Sequence, residues 1–367
     1  MLTIRGRRLR LFPKERMIFM VSHFASLLLA AVLPLAGGTL LFHSYSSYGA
    51  MDSRLYVCDP VSGTAKELGD ASFVHAMNGD FGSHCYDITF MAIDPAADEW
   101  DIFLCNTISG KIENLTKNSG FRNEDPKFSP DGKNIVFKRG HWSQETDGFV
   151  YELALLDLRT REIVMLTEGG GEESMPCFSP DGSKIYYANS DSSGTQICAF
   201  DLLTRESRCL YTEEDIHAYY PMASENGLFF TRWHSADLHN DCIVRLESGI
   251  PLPFCDPAYN CSDPFPLPSG GMLFSSTKSG SYDLYFYDGN IETPLDLYNT
   301  ELNELGASCY TEEEMQRIVA CTADHLLQRN TSSMRMDADG SGTVDAFDLA
   351  LLKRMASETD AFSCDNS

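Results

Sequence analysis

Between residues 39 and 310 the chain alternates apolar and polar positions in short runs, broken by clusters of Pro, Asp, Asn, Ser and Gly. That period of two predicts β-strands joined by tight turns. Two segments are near copies of each other: DPKFSPDGKNIVF from Asp125 to Phe137 and MPCFSPDGSKIYY from Met175 to Tyr187, with Ser129 and Ser179 50 residues apart. In each Ser-Pro-Asp-Gly unit the proline presets φ at the second turn position and the glycine accepts the left-handed one. Each copy therefore predicts a hairpin. Weaker copies run from Tyr220 to Phe230 and from Pro264 to Phe274, with Ser224 and Ser269 about one period further on. After each hairpin comes a third apolar run with a common ending, and six such runs are present: Leu55–Asp59, Ile102–Asn106, Leu153–Asp157, Ile197–Asp201, Ile243–Glu247 and Leu284–Asp288. A turn and a short fourth strand follow, as at Ile163–Thr167.

Four antiparallel strands repeated at 45 to 50 residues predict the blades of a β-propeller, because one blade cannot bury both faces alone and blades must stack in a ring. The first repeat reaches its second strand at Leu40–Phe42, so its innermost strand must come from elsewhere. Val32–Ala36 is one candidate. Glu304–Tyr310, donated from the far end of the repeats, is the preferred one. The Ser-Pro-Asp-Gly hairpins resemble the TolB-like, PD40-type repeats of WD40-like propellers over about residues 39–310. The resemblance implies an all-β, six-bladed propeller of four-stranded blades. That family includes partner-binding periplasmic proteins, propeller halves of peptidases and some polysaccharide lyases, so the fold implies no single activity.

The ends of the chain read differently. Six basic residues among the first sixteen precede an apolar run from Met17 to Ala36. Residues 1–36 thus predict a signal peptide or an uncleaved signal anchor, and an extracellular or cell-surface location in a bacterium. Without them, 22 basic residues face 52 acidic ones, a net charge of −30. Such a surface repels nucleic acid and anionic lipid.

Residues 311–367 predict a helical tail with a calcium loop at 337–348. Asp337, Asp339, Ser341, Asp345 and Asp348 place side-chain oxygens at loop positions 1, 3, 5, 9 and 12. Thr343 offers its carbonyl at position 7, and Gly342 allows the sharp turn at position 6. The order suits a hard seven-coordinate cation, so calcium is the expected cofactor. The loop runs into the helical segment Leu349–Met355, and with Asp at position 12 this pairing resembles a type I dockerin repeat within an EF-hand-like module. Dockerins bind cohesin modules of scaffold proteins in polysaccharide-degrading assemblies. The resemblance assigns partner contact to Ala346 and Phe347 in the loop and to Lys353 and Arg354 on the helix. Dockerins carry two such loops, whereas here a helix from Thr311, with Glu314 completing a capping box, takes the place of the other.

Candidate chemistry elsewhere is sparse. The sequence has no Gly-x-Ser-x-Gly elbow and no His-Glu-x-x-His. His217, His234 and His239 near Asp237 and Asp241 are a candidate cluster at one propeller rim, and Trp100, Trp142 and Trp233 are candidates for stacking on sugar rings. All 12 cysteines lie after residue 36. Cys177 and Cys198 fall on first and third strands, about 9–10 Å apart and too far for a bridge, so buried thiols are expected. The reading as a whole is a binding module attached to a cohesin-bearing scaffold. The alternatives are a carbohydrate-active enzyme, either lyase or glycoside hydrolase, and a non-enzymatic cell-envelope protein stapled by its calcium loop.

Overall fold

The computed structural model describes residues 39–310 apart from 60–63, 69–72, 84–85, 95–98, 169–170, 192–193, 236–239, 269 and 296–297. The expected calcium loop, the helix expected after it and the expected apolar leader lie outside the described residues. Twenty-four strands form six four-stranded antiparallel blades. Blade 1 holds β1 (Thr39–Tyr45), β2 (Arg54–Asp59) and β3 (Thr64–Glu67). Blade 2 holds β4 (Val74–Phe81), β5 (Asp87–Asp94), β6 (Glu99–Asn106) and β7 (Lys111–Asn114). Blade 3 is β8 (Arg122–Phe128), β9 (Asn134–Ser143), β10 (Gly148–Asp157) and β11 (Ile163–Met165). Blade 4 is β12 (Glu172–Phe178), β13 (Lys184–Asp191), β14 (Gly194–Asp201) and β15 (Glu206–Tyr211). Blade 5 runs through β16 (Ile216–Ser224), β17 (Gly227–His234), β18 (Cys242–Glu247) and β19 (Ile250–Pro253). Blade 6 runs through β20 (Cys261–Pro266), β21 (Met272–Ser276), β22 (Asp283–Tyr287) and β23 (Glu292–Pro294).

The ring closes with β24 (Asn303–Tyr310), which pairs antiparallel with β1 from Thr39↔Tyr310 to Tyr45↔Asn303 and becomes the innermost strand of blade 1. Closure therefore joins the two ends of the repeat region without the leader. Glu304 fixes the junction: it is fully buried and accepts hydrogen bonds from Ser44 Oγ (2.9 Å) and Thr300 Oγ1 (2.6 Å). The six third strands foreseen from sequence are β2, β6, β10, β14, β18 and β22.

Six apolar clusters hold the ring, one at each seam between blades. The cluster of Leu40, Phe42, Leu273, Leu284 and Phe286 joins blade 6 to blade 1 and is as dry as the others. A fully buried side chain of this size contributes about 1.5–3 kcal/mol, so no seam is expendable. Trp100 is buried in the blade 2–3 seam, a core role rather than a sugar platform.

The Ser-Pro-Asp-Gly units form the turns between first and second strands, and they satisfy themselves. Ser129 Oγ donates to Asp131 Oδ1 (2.7 Å) and accepts from Asn134 N (3.0 Å), while Gly132 N donates to Ser129 O (2.8 Å) at φ 69°. Ser179, Asp181, Gly182 and Lys184 repeat the pattern. In the second copy the donated bonds from Ser179 and Ser183 hold the fully exposed Asp181 carboxyl down at about 2.

Candidate functional site: the central channel and its mouth

Each innermost strand breaks its ladder at a β-bulge (β4 at two), and a residue at corresponding positions has positive φ: Asn78, Asp125, Met175, Tyr220, Asp263 and Gly306, at 50° to 62°. In four of the six the next residue is proline, at 126, 176, 221 and 264. Proline has no N–H to give a ladder, so pairing lapses there and a bulge absorbs the gap. These six positions form a collar around the channel. Non-glycine residues in this region of φ are uncommon, and their recurrence marks the collar as over-determined by its surroundings.

The collar is polar and interlocked. Asn78 Nδ2 donates to Asp125 Oδ1 (2.7 Å), and Met175 N donates to Asp125 Oδ2 (3.3 Å). Gly306 N donates to Asp263 Oδ2 (3.0 Å), and Ser262 Oγ donates to Asp263 Oδ1 (2.8 Å). Burial pushes the carboxyls of Asp80, Asp125 and Asp263 upward, Asp263 to about 6. Burial also pushes the His43 imidazole down to about 3, so it stays neutral and accepts from Asn78 N (3.5 Å). Lys127 supplies the counter-charge, with Nζ 3.6 Å from Asp80 Oδ1 and over the Tyr220 ring. A cavity of about 10 Å³ lies against Asn78, Asp125, Met175 and Tyr220 of the collar.

Beyond the collar the channel opens into a mouth of about 610 Å³, to which all six innermost strands contribute. Phe81, Phe128, Phe178, Phe265 and Tyr310 give it an aromatic wall, and Pro130 and Pro180 of the Ser-Pro-Asp-Gly turns form part of its lip. Tyr310 Oη donates to Ser83 O (2.9 Å) and ties the closing strand to blade 2 at the rim. Among the described lining residues Lys127 is the single cation, against Asp80 and Glu225. The site is thus an aromatic, weakly acidic funnel.

Of the histidine cluster expected at the rim, His217 and His234 do not come together. His217 pairs across the ladder with Trp233, and His234 pairs with Ile216. Side chains alternate faces along a strand, so His217 and His234 lie on opposite faces of blade 5. His217 stacks on Trp233 (4.2 Å between rings) and its Nδ1 lies 3.3 Å from Thr195 Oγ1. Asp241 instead accepts from Tyr282 Oη (2.6 Å), and Asp237 and His239 lie outside the described residues. Among the described residues no three His, Cys, Asp or Glu are grouped to hold a metal ion. Of the tryptophans, Trp142 alone stands well exposed, edge-on to Phe149 at the tip of the long β9–β10 hairpin. The residues expected from sequence to bind calcium, Asp337, Asp339, Ser341, Thr343, Asp345 and Asp348, and those expected to contact a partner, Ala346, Phe347, Lys353 and Arg354, fall outside the described residues.

Fold and site define a TolB-like β-propeller with a closed ring and a funnel-shaped channel. TolB from Acinetobacter baumannii superposes with a TM-score of 0.61 at 17% identity, covering 79% of this chain and 71% of that one. A chain of hydrazine synthase from Kuenenia stuttgartiensis gives the same TM-score at 13% identity, covering 74% of this chain and 46% of its own. In sequence, dipeptidyl-peptidase 5 of Porphyromonas gingivalis is 28% identical over 150 residues, which is 38% of this chain and 20% of that protein. The chain thus spans about a fifth of the length of the curated relative that it matches. No family model matches the sequence.

Proposed function

We propose that this protein is an exported, partner-binding propeller whose channel mouth seats an apolar peptide segment carrying a positive charge. The observation that carries this reading is the funnel itself: an aromatic wall above the collar, with Lys127 offsetting Asp80 and Glu225 left as the unbalanced acidic charge. Aromatic side chains concentrate binding energy in well-packed concavities, and Glu225 favours a basic flank on the partner. Fluorescence polarisation with labelled hexapeptides, varied in apolar and charged positions, tests it. Apolar peptides with a Lys or Arg should bind, and Phe178→Ala should weaken them by about thirtyfold, the scale of a hot-spot loss of 2 kcal/mol. Equal binding of acidic and basic peptides, or no effect of Phe178→Ala, removes the mouth from consideration.

The tail supplies attachment in this proposal. Calcium held by Asp337, Asp339, Ser341, Thr343, Asp345 and Asp348 orders the loop, and Ala346, Phe347, Lys353 and Arg354 contact a cohesin module on a scaffold at the bacterial cell surface. What supports it is the spacing of the oxygen donors around Gly342. Cohesin retention in calcium and release in chelator is the expected result. Retention in both, or in neither, leaves the loop as an internal staple.

A further inference from the structure

Three thiols converge at the outer seam between blades 5 and 6. The β18–β19 hairpin turns at Ser248 and Gly249, both at positive φ, and sets a register of Glu247↔Ile250 through Val244↔Pro253. One step further, Phe254 N donates to Ile243 O (2.8 Å). The next residues outward, Cys242 and Cys255, are therefore directly opposed in a non-hydrogen-bonded pair. Such pairs bring Cα atoms to about 4.5 Å, inside the range a disulfide spans. Cys261 opens β20 and is tied to the same corner, its N–H donating to Asp241 O (2.8 Å). Cys255 and Cys261 pack in the same buried cluster at this seam, and the Cys255 thiol interacts electrostatically with Cys242 as well. Cys255 and Cys261 are buried, whereas Cys242 is half-buried and reachable from solvent.

We propose that Cys242, Cys255 and Cys261 form a dithiol–disulfide exchange site in which Cys255 is the shared partner of two alternative bridges. The chemistry follows from the surroundings. The neighbouring Cys255 thiol and the Arg232 guanidinium hold the Cys242 thiol below the usual cysteine range, against the opposing effect of burial. Cys242 is thus the nucleophile at neutral pH, since only the thiolate attacks. The oxidant is an external disulfide, either a small molecule such as oxidised glutathione or that of an oxidoreductase. Cys242 attacks one of its sulfurs, forming a mixed disulfide and expelling the first thiolate. Cys255, giving up its proton, then attacks Cys242 Sγ and expels the second. Two protein thiols become one disulfide, and the oxidant, taking two electrons and two protons, becomes two thiols. Attack of Cys261 on Cys255 Sγ moves the bridge to Cys255–Cys261 and frees Cys242, with no net redox change. With Cys255 in the bridge its thiol proton is gone, and Ser276 and the Lys278 ammonium are what still lower Cys261 for that step.

A second opposed pair serves as the internal comparison. Cys198 and Cys209 face each other across β14 and β15, and among the described residues Tyr187, not a third cysteine, pairs with Cys198 on its other side. That site has one bridge open to it and no exchange.

The test uses the full chain, equilibrated in glutathione buffers from reducing to oxidising without denaturant. Free thiols are then blocked with N-ethylmaleimide and non-reduced peptides are mapped by mass spectrometry. The oxidised protein is expected to give a Cys242–Cys255 link, and Cys242→Ser to give a Cys255–Cys261 link instead. Cys255→Ser should give no link within the trio. Full alkylation of all three thiols in oxidising buffer overturns the proposal, and so does a Cys242–Cys261 link in Cys255→Ser. The wild-type map decides the first point even where a variant folds poorly.

Discussion

Gly306 is where the closing strand has least freedom, and Gly306→Ala measures how tightly the ring is shut. The residue sits at the β24 bulge with φ 62°. An alanine Cβ there would stand 2.7 Å from both Cε1 and Nδ1 of His43. That imidazole is 3% exposed on β1 and cannot swing into solvent. The left-handed backbone costs alanine about 1–2 kcal/mol, and forcing atoms into a packed site costs ~1–3 kcal/mol. Together they predict a loss of about 3 kcal/mol. For a domain of this size each kcal/mol lowers the melting temperature by about 2 °C, so a fall of about 6 °C is expected by calorimetry or circular dichroism. A double-mutant cycle separates the two causes. In a His43→Ala background the steric part should vanish and only the backbone part remain, giving a coupling of about 1–3 kcal/mol between sites in contact. A Gly306→Ala protein melting within a degree of wild type, or a cycle with no coupling, would refute the close-packed junction.

Other outcomes follow from the same collar and tail. Asp263 has its carboxyl raised by burial to about 6, so the fold favours the protonated form. Its contribution is therefore complete below about pH 4 and lost as pH rises through 6, worth up to ~3 kcal/mol at 1.36 kcal/mol per unit; urea titrations at pH 4, 5, 6 and 7 should show this decline flattened in Asp263→Asn. Lys127→Met leaves Asp80 buried without its partner, and loss of one member of such a pair costs about 3 kcal/mol at neutral pH, read by the same titrations; Lys127→Met with Asp80→Asn should recover most of it. A chain ending before Asn303 should lose the cooperative melt altogether, because one seam and one innermost strand go with it. Asp337→Ala should abolish calcium uptake by isothermal titration while leaving the propeller's melting temperature unchanged; a large drop would show that the tail packs on the ring.

How far the sequence could be read depended on which forces leave a periodic trace. Blade number and strand order were legible because alternation and the Ser-Pro-Asp-Gly turn are local, and turn chemistry writes itself into four adjacent residues. The closing strand was legible for a different reason: a first blade lacking an inner strand leaves Glu304–Tyr310 as the only apolar run within reach that does not call on the leader. The mouth was harder. Its wall is built from residues just before each turn, such as Phe128 and Phe178, and those read as ordinary strand positions until the ring brings them together. A signal was nevertheless present: proline recurs three residues before the turn serine at 126 and 176, and a proline inside an innermost strand demands a bulge. Histidine chemistry misled because strand alternation was not applied to it. One residue of register separates His217 from the partner of His234, and that offset puts the two rings on opposite faces. The cysteine corner shows the converse. Cys242 and Cys255 carry no recognisable spacing, yet once the Ser248-Gly249 turn fixes the hairpin their opposition is forced. Residue chemistry proposes contacts, and register decides which of them exist.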